Sequence, residues 1–480
     1  MSPSLNYIST RGTAPPLGFE DVLLAGLARD GGLYVPETWP RLTQGEIETF
    51  AGMPFADLAV SIIGRFTGGA IASADLSRMA REAYATFGHA AVTPLVQIDS
   101  KTFVLELFHG PTLAFKDVAM QLLARLMDHV LEKRGERVTI VGATSGDTGG
   151  AAIEAFRGSK RCDVVILFPD GRVSDVQRRM MTTATESNVH AVAIDGTFDD
   201  CQALVKGMFN DHAFRDRVHL AGVNSINWAR IVAQVTYYFA AATALGAPHR
   251  KVLFSVPTGN FGDIFAGHVA RRMGLPIADL VIASNENDIL PRALNSGVYE
   301  MRDVVATSSP SMDIQISSNF ERYLFEASGR DDAYVRGLMG SLTQSRQFEL
   351  GATVADHMRR DFCARSASEA DVAEAIRKVK GESAYLMDPH TACGYVAAAA
   401  ASARSKGDTD NQNAPVVILS TAHPAKFPDA IEKITGQRPP LPERLANLMT
   451  DTERFGHLPN DLATVEAFVE DRARAVREET

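Results

Sequence analysis

Cysteine is scarce: the 480 residues hold four, Cys162, Cys201, Cys363 and Cys393, and no two stand in CxxC spacing. That excludes a disulfide-stapled scaffold and makes a reducing compartment, the cytoplasm, the expected setting. Long apolar runs are missing too. The opening MSPSLNYISTRG has no hydrophobic core behind a basic segment, and the apolar stretches further on are broken by polar residues. Neither a secretory leader nor a membrane span is expected. Positive charge is in deficit, 48 Lys and Arg against 58 Asp and Glu for a formal charge of -10, which gives no reason to expect a nucleic-acid partner. No His/Cys cluster has zinc-ligand spacing, so no metal site is assigned, and Ser420 lacks the flanking glycines of a nucleophile elbow.

What is present is length and an ordinary globular balance of 45% hydrophobic and 22% charged residues, enough for a large core and more than one domain. Residues 1–92 mix Gly-Pro turns with helical patterns such as FEDVLLAGLA and DLSRMAREAYATF, and read as an N-terminal domain. From residue 93 to residue 480 a short apolar run repeatedly gives way to a Gly-rich turn and then to helical periodicity. RVTIVGATSGDTGGAAIEAF, VHAVAIDGTFDDCQALVKGMF, KVLFSVPTGNFGDIFAGHVARRM and APVVILSTAHPAKFPDAI all do so. This is the pattern of an α/β protein with two lobes, whose ligands bind where strands end and helices begin. Residues of roughly 300–380 break the rhythm with charged helical patterns and read as a helical insertion. The polar stretch 402–415 reads as a mobile surface loop, and the terminal VEDRARAVREE as a charged surface helix.

In LFHGPTLAFKDVAMQLL, Lys116 stands between a Gly-Pro turn and an apolar helical pattern. Alone, such a lysine reads as a side chain snorkelling to solvent. Three loops alter that balance. GATSGDTGG, Gly142 to Gly150, lacks both the G-x-G-x-x-G spacing and the Gly-Lys-Ser/Thr of a P-loop, yet offers amides, Ser145 and Thr148 to an anion at a helix start. TGNFGD, residues 258–263, offers the same kind of cradle through Gly259, Asn260 and Gly262, although a plain turn and helix cap explains it equally. In LSTAHPAKF, Ser420 and Thr421 follow an apolar strand and can set a neutral hydroxyl against a heterocycle, while His423 reads as structural. An imine-forming lysine and two anion-friendly loops together point to a phosphorylated aldehyde cofactor, pyridoxal phosphate.

The segments GLARDGGLYVPE, FHGPTLAFKD, TSGDTGGAA, SINWARI, TGNFGD and STAHPAKF stand in one order along nearly the whole chain. In this the sequence resembles threonine synthase, a family of the fold-type-II pyridoxal-phosphate enzymes. The resemblance implies residues 93–480 as the cofactor-dependent catalytic region. It implies Lys116 as the lysine that carries pyridoxal 5'-phosphate covalently and shuttles protons. Gly259, Asn260, Phe261, Gly262 and Asp263 match the loop around the cofactor phosphate, and Thr421 matches the hydroxyl facing the pyridine nitrogen. Asp147 stands near the cofactor's phenolic oxygen, where relatives of the wider fold often carry asparagine.

By the same resemblance Ser145 and Thr148 bind the substrate carboxylate. Arg230, with Ser225 and Asn227, is the candidate for the substrate phosphate, because a guanidinium fits phosphate bidentately. Against this stands a structural reading in which Asn227 caps a helix and Arg230 makes an ion pair. His109 reads as a structural hydrogen bond or as a substrate or cofactor contact, Asp117 as helix charge stabilisation or direct chemistry, and Arg29 and Asp30 as closing the site or forming an ion pair. The reaction implied converts O-phospho-L-homoserine and water to L-threonine and phosphate. The alternatives are another fold-type-II amino-acid lyase or synthase and, in a different class, an inactive phosphoamino-acid-binding protein. The quaternary state is open between monomer and homodimer.

Overall fold

The computed structural model describes residues 5–144, 146–404 and 413–478. Each of the four strand-to-turn patterns forms its strand: Val138–Ala143, Val189–Ile194, Val252–Pro257 and Val416–Ser420. They divide between two sheets. One has six strands in the order Phe362–Ser366, Ile277–Ser284, Val252–Pro257, Val416–Ser420, Thr102–Glu106, Leu95–Gln97, parallel except for the last pair. The other has five parallel strands in the order Gly456–Leu458, Val189–Ile194, Cys162–Pro169, Val138–Ala143, Leu220–Ala221. Central strands such as Cys162–Pro169 and Val252–Pro257 are buried along their whole length. Helices cover both faces, which is why these strands read as continuous apolar runs without alternation.

The N-terminal segment shares the main core. Tyr7–Ser9 pairs antiparallel with Tyr34–Pro36, and the helices Phe55–Ile63 and Ser73–Tyr84 pack on the helices Trp228–Ala244 and Lys116–Arg134. The Trp228 ring is the meeting point, with its centroid 5.9 Å from Tyr7, 5.9 Å from Phe66 and 6.0 Å from Trp39.

Between residues 300 and 380 lie the helices Phe320–Ala327, Asp332–Ser345, Ala352–Asp361 and Glu369–Ser383. The region is not all helical: residues 301–319 are mostly irregular, Gln347–Glu349 pairs antiparallel with Val298–Glu300, and one strand joins a large sheet. Phe362–Ser366 pairs in parallel with Ile277–Ser284 and forms the edge of the six-stranded sheet. Its short buried start, Phe362 and Cys363, is hidden in sequence between two strongly helical patterns. At the C-terminus, Leu462–Arg472 does more than cover the surface. It buries Val465 and Val469 against the five-stranded sheet, and Arg474 bonds the buried Asp163 carboxylate at 2.6 Å. Within the polar stretch 402–415, residues 402–404 end the helix Pro389–Arg404, and 405–412 lie outside the described residues. None of the four cysteines is in a disulfide, and all four are buried. Among the described residues no helix is long and apolar enough to cross a membrane.

Candidate active site

Lys116 is the first residue of the helix Lys116–Arg134. The turn before it is pinned from both sides. Asp117 accepts hydrogen bonds from the Thr112 amide and hydroxyl, both at 2.7 Å, and a Cβ on Gly110 would lie 2.3 Å from the Asp117 side chain, so only glycine fits there. Burial pushes the Asp117 carboxyl up to about 6, and its contacts hold the turn. His109 likewise pairs with Glu106 at 2.8 Å. The Phe115 amide donates to the Thr421 carbonyl at 2.8 Å, which joins the lysine turn to the end of the strand Val416–Ser420.

The Lys116 ammonium faces Asp147, 3.2 Å from its Oδ2, and the Ser311 hydroxyl at 3.4 Å. Asp147 starts the helix Asp147–Phe156, where a carboxylate is favoured by the helix dipole and an ammonium such as Lys116 at its own helix start is not. Its other oxygen, Oδ1, takes the Lys426 ammonium at 2.7 Å and the Gln177 amide at 2.9 Å, while Ser311 Oγ donates to Oδ2 at 3.0 Å. Burial opposes ionisation of Asp147, yet Lys116 and Lys426 hold it well below the ordinary carboxylate range. Burial draws Lys116 below the ordinary lysine range; Asp147 resists, and Lys426 and Arg230 reinforce it.

Lys426, Ser311 and Gln177 were not singled out from the sequence. Lys426 stands inside STAHPAKF, so a buried lysine was there to be noticed; Ser311 and Gln177 carry no local signal. Ser311 is placed by a buried chain. Its amide donates to His390 Nε2 at 3.2 Å, His390 Nδ1 meets Asp388 at 2.7 Å, and Asp388 also accepts from the Thr391 amide at 3.1 Å. The Thr391 hydroxyl lies 2.9 Å from that of Ser420. Beside it, the Thr421 side chain is buried at the strand end. His423 caps the turn Pro424–Lys426 through Nδ1, and burial draws it down to about 4.

The second loop follows the strand Val252–Pro257. Phe261 adopts a left-handed backbone, φ 61°, unusual for a bulky residue. Its ring is held among Phe320, Phe362 and Tyr323 at 5.3, 5.5 and 6.1 Å, so it serves any ligand through backbone alone. The left-handed turn leads into the helix Gly262–Arg272, and the amides of Gly259, Asn260 and Phe261 have no protein acceptor among the described residues. A Cβ on Gly259 would lie 2.8 Å from the Ser311 carbonyl, so the loop closes on Ser311 only with glycine there.

Asp263 departs from the expectation for its side chain. Its carboxyl accepts from the hydroxyls of Tyr237 and Tyr238. Burial raises it to about 7 against the opposing hydrogen bonds of the two tyrosines. A carboxyl with a raised folded pKa contributes stability at acid pH, and that contribution is lost as pH climbs from about 4 to about 7. Asp263→Asn should therefore gain on the native protein by on the order of 3 kcal/mol between pH 4.5 and 8. Denaturant melts at the two pH values check it, and a pH-independent difference refutes it.

The proposed substrate residues separate clearly. Ser145 lies outside the described residues. Thr148 is half-buried in the first turn of the helix Asp147–Phe156. Asn227 is corrected: it is fully buried, its Oδ1 caps the helix Trp228–Ala244 at Ala229 and its Nδ2 donates to the Leu23 carbonyl at 2.9 Å, so its side chain is spent. Arg230 makes no ion pair among the described residues. It is 3% exposed, donates to the Val223 carbonyl at 3.2 Å, leaves Nε without a partner, and burial draws it down to about 10. Ser225 is half-buried on the neighbouring loop.

Two further residues tie these parts together. Asn319 Nδ2 donates to the carbonyls of Ser225 at 3.1 Å and Asn260 at 3.0 Å, bridging the two loops. Arg322, wholly buried, donates to Tyr34 at 2.9 Å and Ile226 at 2.7 Å, which links GLYVPE to SINWARI. Asp30 is engaged by Ser9 Oγ and the amides of Gly32, Thr13 and Ala14, and its role is structural.

Three basic side chains, Lys116, Lys426 and Arg230, are grouped with Asp147 as the one carboxylate among the described residues in contact with either lysine. Such a buried surplus of basic groups favours an anionic ligand. Unpartnered amides at a helix start fit a phosphate, and a buried amine, which like the loop lies beside Ser311, fits an aldehyde. The residues therefore fit pyridoxal phosphate.

Comparison with known proteins agrees. The family model "Threonine synthase N terminus" matches residues 6–84, "Pyridoxal-phosphate dependent enzyme" matches 86–421, and "Threonine synthase, C-terminal" matches 391–469. The threonine synthase of Pseudomonas aeruginosa is 53% identical over 466 residues, covering 97% of this chain and 98% of that one. A crystal structure of threonine synthase from Brucella melitensis with PLP bound is 59% identical, with a TM-score of 0.94 over 98% of this chain and 100% of that one. The yeast enzyme's crystal structure is 40% identical, with a TM-score of 0.91 over 98% and 99%. Agreement of this depth, end to end and across all three family models, means that the chain belongs to the threonine synthase family of fold-type-II pyridoxal-phosphate-dependent enzymes.

Proposed function

We propose that this enzyme converts O-phospho-L-homoserine and water to L-threonine and inorganic phosphate, with pyridoxal phosphate carried covalently on Lys116. The observation that carries the proposal is the buried Lys116 amine, 3.2 Å from the Asp147 carboxylate; two separate groups of residues would each take a phosphate. One is the loop Gly259, Asn260, Phe261 and Gly262, which would take the cofactor's phosphate on its amides. The other is Arg230, with Ser225 beside it, for the phosphate of the substrate. Thr148 and Ser145 would take the substrate carboxylate, Thr421 the pyridine nitrogen, and Asp147 the neighbourhood of the phenolic oxygen.

When bound, pyridoxal phosphate supplies an electron sink that makes protons on the amino-acid carbons removable. Lys116 Nζ then takes the Cα proton and serves the proton transfers at Cβ and Cγ, with Ser311 and Asp147 in hydrogen-bond reach. The phosphate leaves Cγ with the electron pair of its C–O bond and is received by Arg230. Water adds its hydroxyl at Cβ, and protons return to Cγ and Cα. Work in the cytoplasm and a division at residue 92 between an N-terminal domain and the catalytic region belong to the same reading.

The test is to incubate the cofactor-loaded protein with O-phospho-L-homoserine and quantify phosphate and amino-acid products by mass spectrometry. Equal amounts of phosphate and threonine are expected. Phosphate with an unsaturated or keto product and no threonine would assign the chain to another lyase of the same fold, and no turnover with retained binding would make it a phosphoamino-acid-binding protein.

A further inference from the structure

Asp147 is one carboxylate shared by two ammoniums. Lys426, 1% exposed, holds Oδ1 at 2.7 Å and is fixed by the Thr112 carbonyl at 2.8 Å; Lys116 reaches only Oδ2, at the longer 3.2 Å, and shares it with Ser311. We propose that Lys426 is a positioning residue of the reaction: by occupying Asp147 it keeps that carboxylate from locking Lys116 as an ammonium, and so keeps the Lys116 amine free to attach the cofactor and carry protons. The proposal rests on the reading of Lys116 as the attachment lysine.

A lysine is nucleophilic only when uncharged, and the known means of achieving this near neutral pH are an apolar surrounding and a second cation close by. Lys116 has the first through burial and through its place at a helix start. Asp147 alone would undo it, because an anion in contact favours the charged form. Asp147 is nonetheless retained as an anion by the two lysines together. The charged groups that bear most on Lys116 are Asp147, which favours its charged form, and Lys426 and Arg230, which disfavour it. Ser311, Gln177 and Thr112 complete the polar surroundings of the three. The Lys426 ammonium also favours the charged form of Asp117, in the lysine turn, so it acts on that carboxyl as well as on Asp147.

The test compares Lys426→Met, which keeps the length and removes the charge, with Lys426→Arg and Asp147→Asn. Two quantities are read: the pH midpoint of the visible absorbance of the cofactor-loaded protein, and the rate at which pyridoxal phosphate attaches to cofactor-free protein at pH 7.5. Lys426→Met should raise the midpoint by about one unit or more and slow attachment about tenfold, with the rate recovering at higher pH. Lys426→Arg should stay close to the native protein, and Asp147→Asn should move the midpoint the other way. If Lys426→Met does not fold, Lys426→Gln, which also removes the charge, carries the test with the same expected rise in midpoint, against a native-like midpoint for Lys426→Arg. An unchanged midpoint and rate in folded Lys426→Met, or a downward shift shared with Asp147→Asn, overturns the role of Lys426 and leaves Lys116 attachment standing. Lysine-linked absorbance retained in Lys116→Ala overturns both.

Discussion

Replacing Lys116 by alanine should lower turnover by at least about 10⁴-fold, on the order of 5 kcal/mol of transition-state stabilisation. The loss is that large because one amine has two tasks, holding the cofactor and moving the substrate protons, and effects of a group used in successive steps do not divide into small shares. Lys426, the other buried amine, is no replacement, being bound to Asp147 and the Thr112 carbonyl. The variant should still fold, since removing a buried ammonium leaves Asp147 paired with Lys426. Threonine and phosphate formation give the rate. Borohydride reduction followed by peptide mapping gives the attachment site, with the modified peptide containing Lys116 in the native protein and absent from the variant. A modified peptide elsewhere in the native protein would sink the assignment.

The second large effect belongs to Arg230. Arg230→Met should reduce kcat/KM for the phosphorylated substrate by about 10²–10³-fold, or about 3–4 kcal/mol. It should also weaken inhibition by inorganic phosphate. Stability should move in the opposite direction. A guanidinium buried without a carboxylate is costly in the absence of ligand, and an apolar side chain of similar volume removes that cost, so the cofactor-free variant should be roughly 1–3 kcal/mol more stable than the native protein. Arg230 meets these conditions, with one backbone acceptor and a bare Nε. An arginine serving the fold would lose activity and stability together. Thermal melts beside steady-state kinetics separate the two, and a destabilised variant with unaltered KM would end the anion-site role.

These two residues differ in how visible they were. Lys116 could be found because its setting is local: a Gly-Pro turn, an apolar helix pattern, and phosphate-friendly loops each written in consecutive residues. The loop at Gly259 to Gly262 was legible for the same reason, since close approach and a helix start are demands on neighbouring backbone. Asn227 and Arg230 share one motif, yet Asn227 engages backbone through both its oxygen and its nitrogen while Arg230 keeps an unpartnered Nε, and the motif could not say which side chain the backbone would satisfy. Asp263 was misread in the same way: its place after the loop is local, but the two tyrosine hydroxyls that claim it lie on the helix Trp228–Ala244. Phe362–Ser366 was hidden because its pairing partner, Ile277–Ser284, is remote in the chain.

By itself the sequence determined the strand-to-helix turns, the lysine at the start of its helix and the Gly-rich loops, consequences of short-range backbone chemistry, while the order of its motifs carried the resemblance to a cofactor family. Only the tertiary structure decided the electrostatics of that lysine. Asp147 and Ser311 are 164 residues apart, and Lys426 and Thr112 are 314 apart. No local pattern brings such residues into contact; packing two sheets and their helices around one set of strand ends does. A lysine's proton affinity is set by the dielectric and the charges within a few ångströms, and those are properties of the folded chain.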